Sequence, residues 1–327
     1  MTSIQGLNHY NKDSAAIRFS GIYANASPQK EREYSAAWEA HPEEHLLRPY
    51  ATRIFRELPS MLAITRLTKD RPADVHILGA SDGSEAFAYA IAFKESRGHR
   101  AHSEVKISAI DQQPYLVQLA KTGHLVCTDQ ERIWANDAKM NPGNPLAGKG
   151  WEQYLEQANE PDIFADLTTR YPQLGQITRD LISDISIGKG MHWYRVKQEG
   201  LPTISFKQED MQQYVRQTRG KQSNAQVYVL ANAWGYLLQN PNMAKGYEDF
   251  LKLIQNIRNN NIGKEIYLVT GQTEHHIFRQ APGLIQYLRL LGMEPVSEKE
   301  LGENRDVFGR IWKLQADFPV NLNFTFE

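Results

Sequence analysis

Apolar and polar positions along the chain alternate between two periods, one of two residues and one near 3.6. From residue 73 onward short apolar runs are separated by stretches of helical spacing. Val75-His76-Ile77-Leu78 is the first such run, followed by the turn Gly79-Ala80-Ser81-Asp82-Gly83 and a helix over Ser84–Phe93. The next run, Val105–Ile110, ends on Asp111. Gln112-Gln113-Pro114 then opens a helix that closes at Gly123, with proline early and glycine at the end. Strands are predicted at Met191–Val196, Thr203–Phe206, Gln226–Leu230, Glu265–Val269 and Val307–Leu314. The intervening helices span about 208–219, 244–258 and 283–291. This alternation predicts an α/β fold, with a mostly parallel sheet and helices on both faces.

Upstream, Gln29–Leu47 and Thr52–Leu67 have helical spacing, and Met1–Pro28 reads as a polar arm. The expected organisation is an N-terminal arm with helices over 1–70 and a Rossmann-like domain over 71–327. A largely helical insertion is expected at about 128–190, with two or three helices between Trp151 and Ile185.

Composition adds exclusions. Of 327 residues, 41% are hydrophobic and 23% charged, with a formal net charge of −1. That balance lacks the basic surplus of a general nucleic-acid binder. No apolar run reaches the ~18 residues needed to cross a bilayer, and Met1–Lys12 lacks the apolar core of a signal peptide. A cytoplasmic protein is expected. Cys127, the single cysteine, makes no intramolecular disulfide and reads as a small buried or partly exposed residue, not a nucleophile.

The candidate chemistry sits in residues 75–111. A glycine turn between strand and helix lets backbone approach a ligand, and a carboxylate at the tip of the second strand can accept from both ribose hydroxyls. The turn is G-x-x-x-G, not G-x-G-x-x-G, so it need not cradle a pyrophosphate. A nucleoside without phosphates, S-adenosylmethionine first, is the expected ligand. The same residues also suit a plain strand-to-helix turn, with Asp111 capping the helix that follows.

Two other motifs carry less. His41-Pro42-Glu43-Glu44-His45 matches H-x-x-E-H, but Pro42 puts His41 at a helix start and no third zinc ligand is evident. Gly143–Gly150 nearly completes a P-loop but lacks the Ser or Thr after its lysine, and no strand precedes it.

Six separated blocks, in order, resemble the CheR-type chemotaxis-receptor methyltransferases. Thr52-Arg53-Ile54-Phe55-Arg56-Glu57 is similar to the family's T-x-F-F-R-x segment. Ser81–Ala88 resembles S-T-G-E-E-P-Y-S, and Asp111 with Ala120-Lys121-Thr122-Gly123-His124-Leu125 resembles the aspartate and A-x-x-G-x-Y. Phe206–Met211 is similar to F-x-x-x-N-L, Leu230–Leu237 to C-R-N-V-x-I-Y-F, and Gly271-Gln272-Thr273-Glu274 to G-x-S-E.

The resemblance implies methyl transfer from S-adenosylmethionine to a protein glutamate, giving a methyl ester and S-adenosylhomocysteine. It implies Arg56 and Tyr236 as the groups that orient the acceptor. On the cofactor side it implies Thr52, Arg56, Gly79, Ser81, Gly83, Glu85, Asp111, Asp210, Met211 and Asn232. Within that set Asp111 takes the ribose and Glu85 the ammonium of the methionine part. Asp210 and Met211 flank the adenine, and Asn232 faces the methionine part or the acceptor.

The chain departs from the pattern in places. Ala231 stands where the family has arginine, Ser84 where it has its first glutamate, and Asp210 where it has asparagine. The stretch from Asp111 to Asp210 is longer than the family's, and the N-terminal helical region is abbreviated. A divergent relative is expected, acting on a protein or small-molecule methyl acceptor. A module that binds the cofactor without turnover remains the rival.

Overall fold

A computed structural model describes residues 54, 57–128, 133, 137, 153–170, 191–220, 223–231, 243–271 and 282–314. The arm, the Gln29–Leu47 helix, the H-x-x-E-H and P-loop-like motifs, Thr52, Arg56, Asn232 and Tyr236 all fall outside them.

Helix α1 (Leu58–Leu67) is the described part of the helix expected over Thr52–Leu67. Strand β1 (Ala73–Leu78) leads through the glycine turn into α2 (Ser84–Arg97). A short α3 (Arg100–Glu104) follows, then β2 (Val105–Asp111) and α4 (Pro114–Thr122). Gly123 ends α4 at φ 74°, a left-handed position that glycine takes without strain.

Next come β3 (His124–Thr128), β4 (Leu155–Gln157), α5 (Asp162–Arg170), β5 (Met191–Val196) and β6 (Thr203–Gln208). The chain continues with α6 (Met211–Gln217), β7 (Ala225–Val229), α7 (Met243–Asn260), β8 (Ile266–Val269) and α8 (Pro282–Leu290). It closes with β9 (Met293–Pro295), α9 (Glu298–Leu301), a 3₁₀ turn at Gly302–Val307 and β10 (Ile311–Leu314).

Seven strands form one sheet in the order β6-β2-β1-β7-β8-β10-β9. The first five are parallel, while β10 runs antiparallel between β8 and β9. Strand order reverses at β1, which places the ligand edge at the carboxyl ends of β1 and its neighbours. The expected α/β, Rossmann-like fold is what is found. The reversed last strand separates it from the all-parallel dinucleotide-binding sheet.

Alternation sorts the strands' side chains onto two faces. Ala225, Val227 and Val229 of β7 join a core cluster with Leu58, Met61, Phe87 and Phe93 of α1 and α2. Tyr228 and Leu230 join the opposite cluster with Tyr214, Val215, Phe250, Leu253 and Leu288. Helices on both faces are therefore confirmed.

The insertion differs from expectation. Strands β3, β5 and β4 make a separate antiparallel sheet, and Leu155–Gln157 is strand where helix was expected. Helix α5 satisfies the helical expectation within the described residues. Leu125, Cys127, Tyr154, Tyr194 and Val196 pack this small sheet into the α1–α2 side of the core. No helix among the described residues is long and apolar enough to cross a membrane.

Candidate functional site

The turn after β1 is shaped by hydrogen bonds before any ligand is considered. Gly79 and Ala80 N–H both donate to the Ile110 carbonyl at 2.9 Å. Ser81 N–H donates to Asp111 Oδ2 at 2.8 Å, and Ser84 N–H to Asp82 Oδ1 at 3.0 Å. Gly83 N–H donates to the Ala80 carbonyl at 3.0 Å. These five N–H groups have protein acceptors, so none of them is left to cradle a phosphate.

Gly79 and Gly83 both have positive φ, 83° and 84°, and Ser81 shares that region at 51°. Gly83 has a second reason to be glycine. A Cβ there would lie 2.9 Å from Ala120 Cβ and 2.9 Å from a Phe206 ring carbon. The side of the bend at Gly83 is closed by packed side chains of α4 and β6. Backbone access for a ligand, expected at both glycines, is thus not what position 83 serves.

Asp111 ties the tip of β2 to this turn. Its Oδ2 accepts from Ser81 and its Oδ1 accepts from Gln113 N–H at 2.9 Å. The N-cap of α4 is Gln113 and not Asp111, so Asp111 holds the residue at the helix start without capping the helix itself. That contact does not exhaust the group. A carboxylate offers about four acceptor positions across its two oxygens, and three backbone N–H groups, of Ser81, Gln113 and Gln112, are directed at them here. Burial pushes the Asp111 carboxyl above the usual carboxylate range, and the N–H groups of Gln113, Ser81 and Gln112 hold it back. A half-buried carboxylate whose acceptor positions are not all taken among the described residues can still receive a hydroxyl.

On the neighbouring strand tip, Asp210 caps α6 by accepting from Gln213 N–H at 2.9 Å. Its other oxygen accepts from the Gln112 amide, linking the tips of β2 and β6. Met211 is half-buried and packs on the α6–α7 side of the core. Glu85 lies in the first turn of α2, where an acid suits the helix dipole, and it is buried. Burial, with Glu85 and Glu57 nearby, pushes the Tyr89 hydroxyl well up.

One pair at this end of the sheet was not singled out by the sequence. Glu57, the N-cap residue of α1, is buried and pairs with Arg310 Nη1 at 3.5 Å. Arg310 immediately precedes β10, whose reversal brings it to the carboxyl ends of the parallel strands. Its carbonyl accepts from Thr270 N–H at 2.8 Å and Thr270 Oγ1 at 3.0 Å. Only the long-range pairing of β8 with β10 creates this contact, so no local signal announces it.

The structure therefore brings Gly79, Ser81, Gly83, Glu85, Asp111, Asp210 and Met211 to one region at the ends of β1, β2 and β6. No group of His, Cys, Asp and Glu able to hold a metal occurs among the described residues.

No protein-family model matches the sequence, and no curated protein matches it. Two solved structures of the rRNA methyltransferase aviRa from Streptomyces viridochromogenes are similar. One is 14% identical, with a TM-score of 0.31, over 68% of this chain and 76% of that one. The other is 13% identical, with a TM-score of 0.30, over 67% and 74%. A likeness at this level assigns no activity.

Proposed function

We propose that the chain is an S-adenosylmethionine-dependent methyltransferase of the CheR-like kind, acting on a protein glutamate carboxylate or a related acceptor. The observation that supports it best is Asp111, fixed at the tip of β2 by backbone N–H groups that leave part of its acceptor capacity unused among the described residues. Beside it lies a turn whose own N–H groups are used internally, which suits a nucleoside without phosphates. Asp111 would hold the ribose, Glu85 the ammonium, and Asp210 with Met211 the adenine side. When bound, S-adenosylmethionine supplies the methyl group.

The residues' own task is alignment of acceptor and donor, which accounts for much of the rate in such a displacement. A carboxylate acceptor is ionised near neutral pH, so the protein need supply no general base. The resemblance gives its orientation to Arg56 and Tyr236, through a planar fork and a phenolic hydroxyl.

Calorimetry with S-adenosylmethionine, S-adenosylhomocysteine and a nicotinamide dinucleotide tests the reading. Both sulfur nucleosides should bind the wild type, and Asp111→Ala should lose them. Binding of the dinucleotide alone would end the assignment.

A second reading, a cofactor-binding module without turnover, is favoured by Ala231. That residue is buried at the place where the resemblance expects arginine. Labelled methyl recovered from protein in a base-labile form would decide for the enzyme.

A further inference from the structure

Ala231 lies immediately beyond β7 on the α1–α2 side of the core. Val229 pairs with Val269 in the parallel β7–β8 ladder, and Ile311 pairs with Val269 across the antiparallel β8–β10 ladder. Leu230 N–H donates to the Val269 carbonyl, and Thr270 N–H donates to the Arg310 carbonyl. Leu230, Thr270 and Arg310 thus form one row across the sheet at its carboxyl edge. Two strand spacings, about 10 Å, separate the strands bearing Ala231 and Arg310.

The guanidinium of Arg310 turns toward the α1–α2 side, because its partner is Glu57 at the start of α1. Ile54 and Leu58, which bracket Glu57, belong to the same cluster as Ala231. The Arg310 side chain keeps 18% of its exposure, whereas the Glu57 side chain keeps 3%. A guanidinium has five N–H donors, and its described side-chain contact is the one through Nη1. A buried acid thus holds a partly open arginine at the edge and on the face where residue 231 offers only a methyl group.

We propose that Arg310, brought by the reversed strand to the edge and face where Ala231 lies, is a binding residue for the anionic acceptor. Glu57 is its positioning residue. This rests on the methyltransferase reading above and says where that enzyme grips a carboxylate. Arginine suits the task because its fork can bind a carboxylate through two parallel N–H···O bonds.

The test is equilibrium binding of poly-L-glutamate, a polymer bearing the proposed acceptor group, to the protein saturated with S-adenosylhomocysteine. The variants are Arg310→Met and Arg310→Lys. S-adenosylhomocysteine affinity should stay within about twofold throughout, while Arg310→Met weakens poly-glutamate about tenfold, the loss of one charge-assisted pair. Arg310→Lys should fall between.

Equal poly-glutamate affinity in wild type and Arg310→Met, with only the thermal midpoint lowered, would make the pair a structural clamp and overturn the proposal. So would a wild type that binds S-adenosylhomocysteine but not poly-glutamate. A wild type that binds no S-adenosylhomocysteine is a different failure, because it removes the methyltransferase reading itself.

Discussion

Two sets of buried polar groups lie on this sheet, and they are finished to different degrees. In the middle of β1, His76 Nδ1 accepts from the Tyr214 hydroxyl at 2.7 Å, and Nε2 donates to Gln226 Oε1 at 3.1 Å. Gln226 Nε2 in turn donates to Asp74 Oδ2 at 2.9 Å, which fixes the amide and hence the imidazole tautomer. The ring stacks on Tyr228 at 4.5 Å, and the Tyr228 hydroxyl accepts from Asn261 Nδ2 at 2.9 Å. Both ring nitrogens have partners. At the ligand edge, Asp111 and Arg310 retain hydrogen-bonding capacity beyond their partners among the described residues. A completed buried network specifies a core, whereas leftover capacity at a sheet's carboxyl edge points to something that binds there.

The largest effect is expected where packing and backbone conformation coincide. Gly83→Ala adds a Cβ at 2.9 Å from two side chains in a left-handed position, and the two penalties together cost about 2–4 kcal/mol. Urea unfolding measures it, and a loss under about 1 kcal/mol would mean that α4 and β6 yield easily. This variant also sharpens the comparison, because it damages the edge by packing without touching a ligand-binding group.

The completed network should come next. His76→Phe leaves the Gln226 carbonyl without its partner and removes one of the hydrogen bonds of the Tyr214 hydroxyl, which Ser108 and Thr218 also reach, at about 1–3 kcal/mol. Sulfur-nucleoside affinity should not change. Wild-type stability should also fall as pH drops below about 6.5, the unfolded value for histidine.

The sign follows from burial. It lowers the His76 pKa, with Lys207 acting the same way and Gln226 and Asp74 opposing. The folded state then binds the proton less readily than the unfolded chain does, so acid favours unfolding. The stabilisation is fully present above the unfolded value and is lost as pH falls toward the folded one. A His76→Phe protein with the same acid slope would show that the slope comes from other groups.

Much of the edge was legible because it is local. The turn, α2, β2 and Asp111 lie within one βαβ unit whose periodicity and punctuation are contiguous in sequence. The role of Gly83 was not legible, since it depends on Ala120 and Phe206, which arrive from other elements. Strands β4 and β9, three residues each, are too short to show alternation. The β3-β5-β4 sheet is assembled by pairing across long separations, with Cys127 opposite His192, so no contiguous pattern announces it. Arg310 and Glu57 are ordinary charged residues until the reversal of β10 brings them together.

A smaller effect on stability, but a clear one on binding, is expected at the edge carboxylate. Asp111→Asn keeps one acceptor oxygen for the turn and removes the charge. It should weaken S-adenosylhomocysteine about tenfold while costing about 1 kcal/mol in unfolding. Unchanged affinity with a large loss of stability would move Asp111 into the same class as His76.

The smallest effect should come from Tyr89, which separates burial from function most cleanly. Its side chain is fully buried on α2, and its hydroxyl has no hydrogen-bond partner among the described residues. Glu85 and Glu57 lie close enough to raise its pKa further, after burial. Removing a hydroxyl that makes no bond forfeits no bond, and it relieves the cost of keeping a polar group from water. Tyr89→Phe should therefore change stability by less than about 0.5 kcal/mol, or raise it slightly. If S-adenosylhomocysteine affinity falls instead, the hydroxyl serves the ligand, and Tyr89 belongs with Asp111 at the unfinished edge. If stability falls by more than about 1 kcal/mol with binding intact, it belongs with the completed core.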